Sequence, residues 1–215
     1  MAHCYLPEVF NYLQQEISPP RPAYFYELES LAAENKIPII APETGAFLEL
    51  LVKLLKPRDI LEIGTAIGYS ALWLANSFKG RGKIETVEFS SPNAVAAAAN
   101  FKKYDRRKKI ELITGDALKI LPVCRRQYGL IFVDAVKKDY GKYLALCLPL
   151  LKKGGVIVFD NLFWHGQVVG VAQKKERFQK AAPALQQFNR EFMNTPQLSS
   201  LILPLGDGVG LGIKK

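Results

Sequence analysis

The feature that most constrains this chain is an alternation of short Val- and Ile-rich runs with longer stretches of helical periodicity. Runs that short, bounded by turn residues, read as strands buried on both faces. Strands alternating with helices give βα units and a mostly parallel sheet. The predicted parallel strands are residues 60–63, 84–88, 110–113, 130–133 and 156–159. Helices are predicted over 70–78, 92–101 and 140–151, the last ending at Lys152-Lys153-Gly154-Gly155, where cations and glycines suit a helix C-terminus. Two more runs, 201–205 and 209–213, flank Gly206-Asp207-Gly208 and are expected to close one edge as an antiparallel hairpin. The fold class implied is an α/β, Rossmann-like one with a seven-stranded sheet.

A chain of 215 residues supports one sizeable core, so residues 1–215 are expected to form a single domain. Residues 1–42 read as accessory helices interrupted by Pro19-Pro20-Arg21-Pro22, and 174–193 as one more helix with a basic face, bent near Pro183. No apolar run reaches the roughly 20 residues needed to cross a bilayer, and the N-terminus lacks a signal pattern. A soluble, cytoplasmic protein with no membrane partner is expected. Cys4, Cys124 and Cys147 are odd in number and lack zinc-site spacing, and only His3 and His165 could supply imidazoles, which excludes disulfide and zinc frameworks. The net charge is +9 and its cations are bunched, notably over residues 102–109 and 174–180. Such clustering fits either a solvated basic surface or nucleic-acid binding.

The segment Ile60-Leu61-Glu62-Ile63-Gly64-Thr65-Ala66-Ile67-Gly68-Tyr69-Ser70 is a buried strand entering a small-residue turn and a helix, where glycine lets the backbone approach a ligand. Its Gly-x-x-x-Gly spacing differs from the pattern of nicotinamide enzymes. Glu88 ends the second strand, the place where an acid reaches ribose hydroxyls, and Gly115-Asp116-Ala117 follows the third, where an acid can accept from an adenine amino group. Asp134 and Asp160-Asn161 end two further strands. Capping a helix is the ordinary role for either aspartate. Together they offer two carboxylates and an amide oxygen on one sheet edge, an all-oxygen set suited to Mg²⁺. Lys137, three residues past Asp134, could sit beside such a cation as a base. By its local sequence alone, Val136-Lys137-Lys138-Asp139, it would ordinarily be a surface group.

These motifs resemble the cation-dependent O-methyltransferases, the group that includes catechol and caffeoyl-CoA O-methyltransferases. The resemblance spans nearly the whole chain and rests on LEIGTAIGYSALWLA, the Glu88 strand end, GDALKILP, IFVDAVKKDY, GGVIVFDNLFWHGQVV and LPLGDGVGLGIKK. It implies a methyl transfer from S-adenosylmethionine (SAM) to a hydroxyl oxygen, helped by Mg²⁺ or Mn²⁺, in a homodimer. It assigns Asp134, Asp160 and Asn161 as cation ligands, with Lys137 as catalytic base beside Asp134. Ile40, Glu62, Gly64, Ser70, Glu88, Asp116, Ala117 and Asp134 fall on SAM-contacting positions. Val136 stands where many relatives carry a second acid, which loosens the link to phenylpropanoid-type acceptors.

Other segments resemble the bacterial branch that methylates 5-hydroxyuridine at the tRNA wobble position: Pro20-Arg21-Pro22, Leu28-Glu29 through Glu34, Pro38-Ile39, and Phe192-Met193-Asn194-Thr195-Pro196. That resemblance implies tRNA as partner, with residues 102–109 and 174–180 meeting the phosphates beside the target base. A small catechol-like acceptor is the alternative.

Overall fold

The computed structural model describes residues 8, 9, 11, 12, 16–170 and 181–215. Seven strands, β1 (Ile60–Ile63), β2 (Ile84–Glu88), β3 (Ile110–Thr114), β4 (Tyr128–Val133), β5 (Leu151–Phe159), β6 (Leu198–Leu203) and β7 (Val209–Lys214), form one sheet. Their spatial order is β3-β2-β1-β4-β5-β7-β6. The first five pair in parallel, and β7 lies antiparallel to both β5 and β6. This is the expected α/β arrangement, a mostly parallel sheet with an antiparallel C-terminal hairpin.

The described helices are α1 (Ala23–Glu34), α2 (Pro42–Leu55), α3 (Tyr69–Ser77), α4 (Ser91–Tyr104), the single turn α5 (Ala117–Ile120), α6 (Tyr140–Leu150) and α7 (Ala182–Met193). They cover both faces of the sheet, and the strand residues alternate accordingly. Leu130, Phe132, Val156 and Val158 join one core with Phe25, Leu48, Trp73 and Phe101 from α1 to α4. Ile131, Val133, Ile157 and Phe159 join the other with Tyr140, Leu144, Phe188 and Phe192 from α6 and α7. Burial on both faces is why the strand sequences are almost continuously apolar. Each buried large side chain contributes about 1.5–3 kcal/mol relative to exposure.

Several boundaries differ from the sequence expectation for local reasons. The segment Lys152-Lys153-Gly154-Gly155 belongs to β5, which starts at Leu151, and is not a helix end. Leu151 pairs with Tyr128, the register shifts before Leu130, and Gly154 at φ +74° accommodates the irregularity. Pro183 lies in the first turn of α7, where its missing N–H costs nothing, and so makes no bend. The remainder of the expected helix, 171–180, lies outside the described residues, as do His3 and Cys4. Helix α2 was not anticipated; it opens with Pro42, buries Leu48, Leu51 and Val52, and stops at left-handed Lys56. Among the described residues no helix is long and apolar enough to cross a membrane.

Two consequences of this topology place the site. The strand order reverses between β1 and β4, which opens a crevice at their carboxyl ends. Because β6 is antiparallel to β7, and β7 to β5, the β6 carboxyl end and the turn at 206–208 share that same edge.

Candidate active site

The turn after β1 is built for close approach. Gly64 has φ +98°, and a Cβ there would collide with the Asp134 carbonyl at the end of β4. The Asp134 N–H donates to the Ile63 carbonyl at 2.9 Å, so the glycine turn and the first aspartate are adjacent because their strands are neighbours. Gly68, at φ +86°, starts α3 where a side chain would strike the Phe101 ring.

Glu88 organises this turn. Its Oε2 accepts from the Thr65 N–H at 3.1 Å and the Ala66 N–H at 2.8 Å, and its Oε1 accepts from the Ser90 N–H at 2.8 Å. A carboxylate offers about four lone-pair positions. Three are filled, so the acid that was expected to serve a ribose also shapes the loop that would surround it.

Glu62 is fully buried in β1. Its Oε2 accepts from Thr86 Oγ1 at 2.5 Å, and Thr86 Oγ1 in turn lies 2.5 Å from Thr65 Oγ1. Its Oε1 is buried without a full hydrogen bond, although the nearby Ser70 hydroxyl favours the charged form. Burial dominates and pushes the Glu62 carboxyl up to about 7.

Asp116 makes the capping contact that a strand-end aspartate ordinarily makes, its Oδ1 accepting from the Leu118 N–H at 2.9 Å at the start of α5. Its second oxygen is left for other partners, and Ala117 beside it is buried. Ile40 is 5% exposed, and its side chain belongs to the hydrophobic core just ahead of α2.

The charged centre lies at the ends of β4 and β5. Lys137, which its local sequence taken alone would leave on the surface, is 8% exposed and lies beside Asp134 as the base assignment requires. Its Nζ donates to Asp134 Oδ1 at 2.5 Å and to the Tyr140 hydroxyl at 2.7 Å, and that hydroxyl donates onward to the Asp160 carbonyl at 2.9 Å. The chain thus fixes the amine between the two aspartate positions. Asp160 is 2% exposed, and its Oδ1 is buried with no partner. Burial, reinforced by the charge of Asp134, raises its carboxyl to about 7. Asn161 adopts the left-handed conformation, φ +57°, which asparagine tolerates better than most residues. Among the described residues no three His, Cys, Asp or Glu side chains gather into a metal cluster; the set here is two carboxylates and one amide.

Two residues of this centre went unseen in the sequence. Tyr140 reads in the sequence only as a helix start. Asp207 reads in the sequence as part of a turn, yet its Oδ1 accepts from the His165 N–H at 2.8 Å and the nearby Asn161 side chain favours its charged form. Burial raises the Asp207 carboxyl as well. An acid between two glycines at a carboxyl strand end was the available signal. Residues 102–109, by contrast, lie at the start of β3, on the edge opposite the site, so they do not flank a base held there.

Comparison with known proteins agrees with this geometry. The O-methyltransferase family profile matches residues 15–215. A catechol O-methyltransferase of Niastella koreensis is 31% identical over 85% of this chain and 86% of its own. A caffeoyl-CoA O-methyltransferase of Populus trichocarpa is 31% identical over 93% and 85%. An SAH-bound methyltransferase from Podospora anserina superposes with a TM-score of 0.87 at 28% identity, covering 97% of this chain and 94% of that one. A Bacillus cereus O-methyltransferase in complex with SAH gives 0.79 at 28% identity, with 96% of both chains covered. With nearly its full length matched by the family profile and its fold shared with SAH-bound relatives, the chain belongs to the O-methyltransferase family and is a SAM-dependent O-methyltransferase.

Proposed function

We propose that this enzyme uses a divalent cation to methylate a hydroxyl that sits beside a second oxygen, and that its acceptor is 5-hydroxyuridine in tRNA. The observation that carries the first half is Asp160 Oδ1, a buried carboxylate oxygen with no partner, beside Asp134 and Asn161. Burying an unpaired anion is costly, and a hard cation held by Asp134, Asp160 and Asn161 would remove that cost. Such a cation would supply Lewis-acid chemistry, lowering the pKa of the acceptor hydroxyl.

The remaining work belongs to the chain's own groups. Lys137, fixed by Tyr140 and Asp134, receives the hydroxyl proton at Nζ. The methyl group passes from the sulfonium sulfur to the acceptor oxygen, and S-adenosylhomocysteine leaves. The nucleoside would be held across the carboxyl ends of β1 to β3, with the Gly64 turn for its charged tail, Glu88 for the ribose and Asp116 for the adenine. Ile40, Glu62 and Ser70 support that surface from within.

The excess of cations supports tRNA as the acceptor's carrier, since an anticodon base is single-stranded and can be splayed out at little cost. 5-Hydroxyuracil offers its hydroxyl beside the C4 carbonyl, and catechols offer two adjacent hydroxyls, so one cation geometry serves both. A small catechol-like acceptor is the second reading, favoured by the names of the relatives. Incubation with labelled SAM and either bulk tRNA or catechols, with and without chelator, separates them. The expected result is chelator-sensitive label in tRNA; label in catechols alone would assign the small acceptor.

A further inference from the structure

We propose that the amino edge of the sheet is a docking surface for the phosphate backbone of RNA, remote from the edge where methyl transfer occurs. The choice of RNA rests on the tRNA reading above; the arrangement of charge does not. The five parallel strands enter the sheet in the spatial order β3, β2, β1, β4, β5. An exposed cation stands at each entry: Arg107, Arg81, Arg58, Arg125 and Lys153 in that order. Neighbouring strands lie roughly 4.8 Å apart, so the row spans about 20 Å. That length faces several consecutive phosphates of one nucleic-acid strand.

Few acids neutralise this row. Among the described residues Arg81, Arg107, Arg125 and Lys153 pair with no carboxylate, and Arg58 meets only Asp59, at 3.5 Å. A cleft of about 510 Å³ opens along the row, where Arg58, Lys83, Arg125, Arg126 and Lys152 surround the single carboxylate of Asp59. That carboxylate is itself engaged by the Lys83 N–H at 3.2 Å and by Arg126 at 3.8 Å, while Arg126 also pairs with Glu85 at 2.5 Å and the Lys83 ammonium with Glu111 at 3.4 Å. Helices α2, α3, α4 and α6 end at this edge, and cations do stabilise helix C-termini, but only within the last turn. Arg81 and Arg107 lie beyond the last turns of α3 and α4. A row of exposed guanidinium and ammonium groups, four of the five without a carboxylate partner, fits a phosphate backbone, which it would grip without reading sequence.

The test is the triple variant Arg107→Glu, Arg125→Glu, Lys153→Glu, compared with wild type for binding of fluorescent bulk tRNA between 50 and 200 mM salt, without SAM. None of the three touches the methyl-transfer centre, so SAM affinity and Tm are expected to hold. Loss of about three phosphate contacts should weaken tRNA binding by about 10- to 100-fold at low salt and reduce the log–log salt slope by about 2–3. Single variants, each expected to reduce the slope by about 0.9, serve if the triple does not fold. Unchanged affinity and slope would overturn the proposal. So would wild-type protein that binds phosphatidylserine vesicles but not tRNA, or a lowered Tm with intact tRNA binding, which would assign the cations to the helix ends. Should the enzyme bind tRNA through this edge yet transfer no methyl group to it, the acceptor reading fails and the surface stands.

Discussion

At the carboxyl edge of the sheet Asp134, Asp160 and Asp207 gather near one buried lysine, with Glu88 and Asp116 at the ends of the neighbouring strands, whereas at the amino edge of the same strands exposed arginines and lysines stand in a row. The two edges share a backbone and differ in burial. Ionised groups at the carboxyl edge are withdrawn from water, so each is tied into a hydrogen-bond network or left costly and unpartnered, as at Asp160 Oδ1. Cations at the amino edge keep their hydration and act through a long-range field that salt screens. Substitutions at the first edge should therefore change chemistry and pH dependence, and those at the second should change salt-dependent association alone.

The sharpest break in that comparison is Lys137→Ala. Loss of the amine is expected to lower the methyl-transfer rate by about 10²- to 10⁴-fold with SAM affinity preserved. Because Lys137 is buried between acids, the variant should also lose stability, unlike a surface lysine. Rates within twofold of wild type would return Lys137 to a structural role. Tyr140→Phe removes only the hydroxyl that holds Nζ and should cost about tenfold in rate, on the order of one hydrogen bond.

Next in size is Glu88→Ala, which removes three loop contacts along with the expected ribose partner. A rise of about 10- to 100-fold in the SAM dissociation constant is expected by calorimetry, the equivalent of roughly 1.5–3 kcal/mol. An unchanged constant would mean the cofactor lies elsewhere.

How far the sequence exposed each edge follows from the same contrast in burial. Strands β1, β2 and β4 were legible because two buried faces leave continuous apolar runs, and Asp134, Asp160 and Glu88 because each stands at the end of such a run. Tyr140 and Asp207 were not, because their parts depend on contacts across the fold: Tyr140 reaches the Asp160 carbonyl, and Asp207 reaches Asn161 from a hairpin 46 residues later. The start of β5 was misread because Lys-Lys-Gly-Gly has the local chemistry of a helix end, and only pairing with β4 makes it a strand. Clustered charge was visible, but not its side of the sheet, since residues 102–109 take their position from the parallel order of β2 and β3.

A further effect is on stability and leaves the chemistry aside. Burial raises Glu62 from 4.5 to about 7, above its unfolded value, so the folded state holds this proton more tightly. The stability Glu62 contributes is fully present below about pH 4.5 and is lost as pH rises through 7, on the order of 2–3 kcal/mol by pH 8. Glu62→Gln should flatten that slope in denaturant titrations between pH 5 and pH 8 and be the more stable form at pH 8. The triple variant at the amino edge should leave the slope as it is.

The central claim, a cation held at the carboxyl edge, is tested most directly by Asp160→Ala. Isothermal titration with Mg²⁺ and Mn²⁺, run beside a methyl-transfer assay on the accepted substrate, should show wild-type protein binding the cation and losing turnover in excess chelator. The variant should bind neither ion and turn over at least about 10²-fold more slowly, with SAM affinity retained. Wild-type activity that persists in chelator, or a variant that keeps its turnover, would contradict the account.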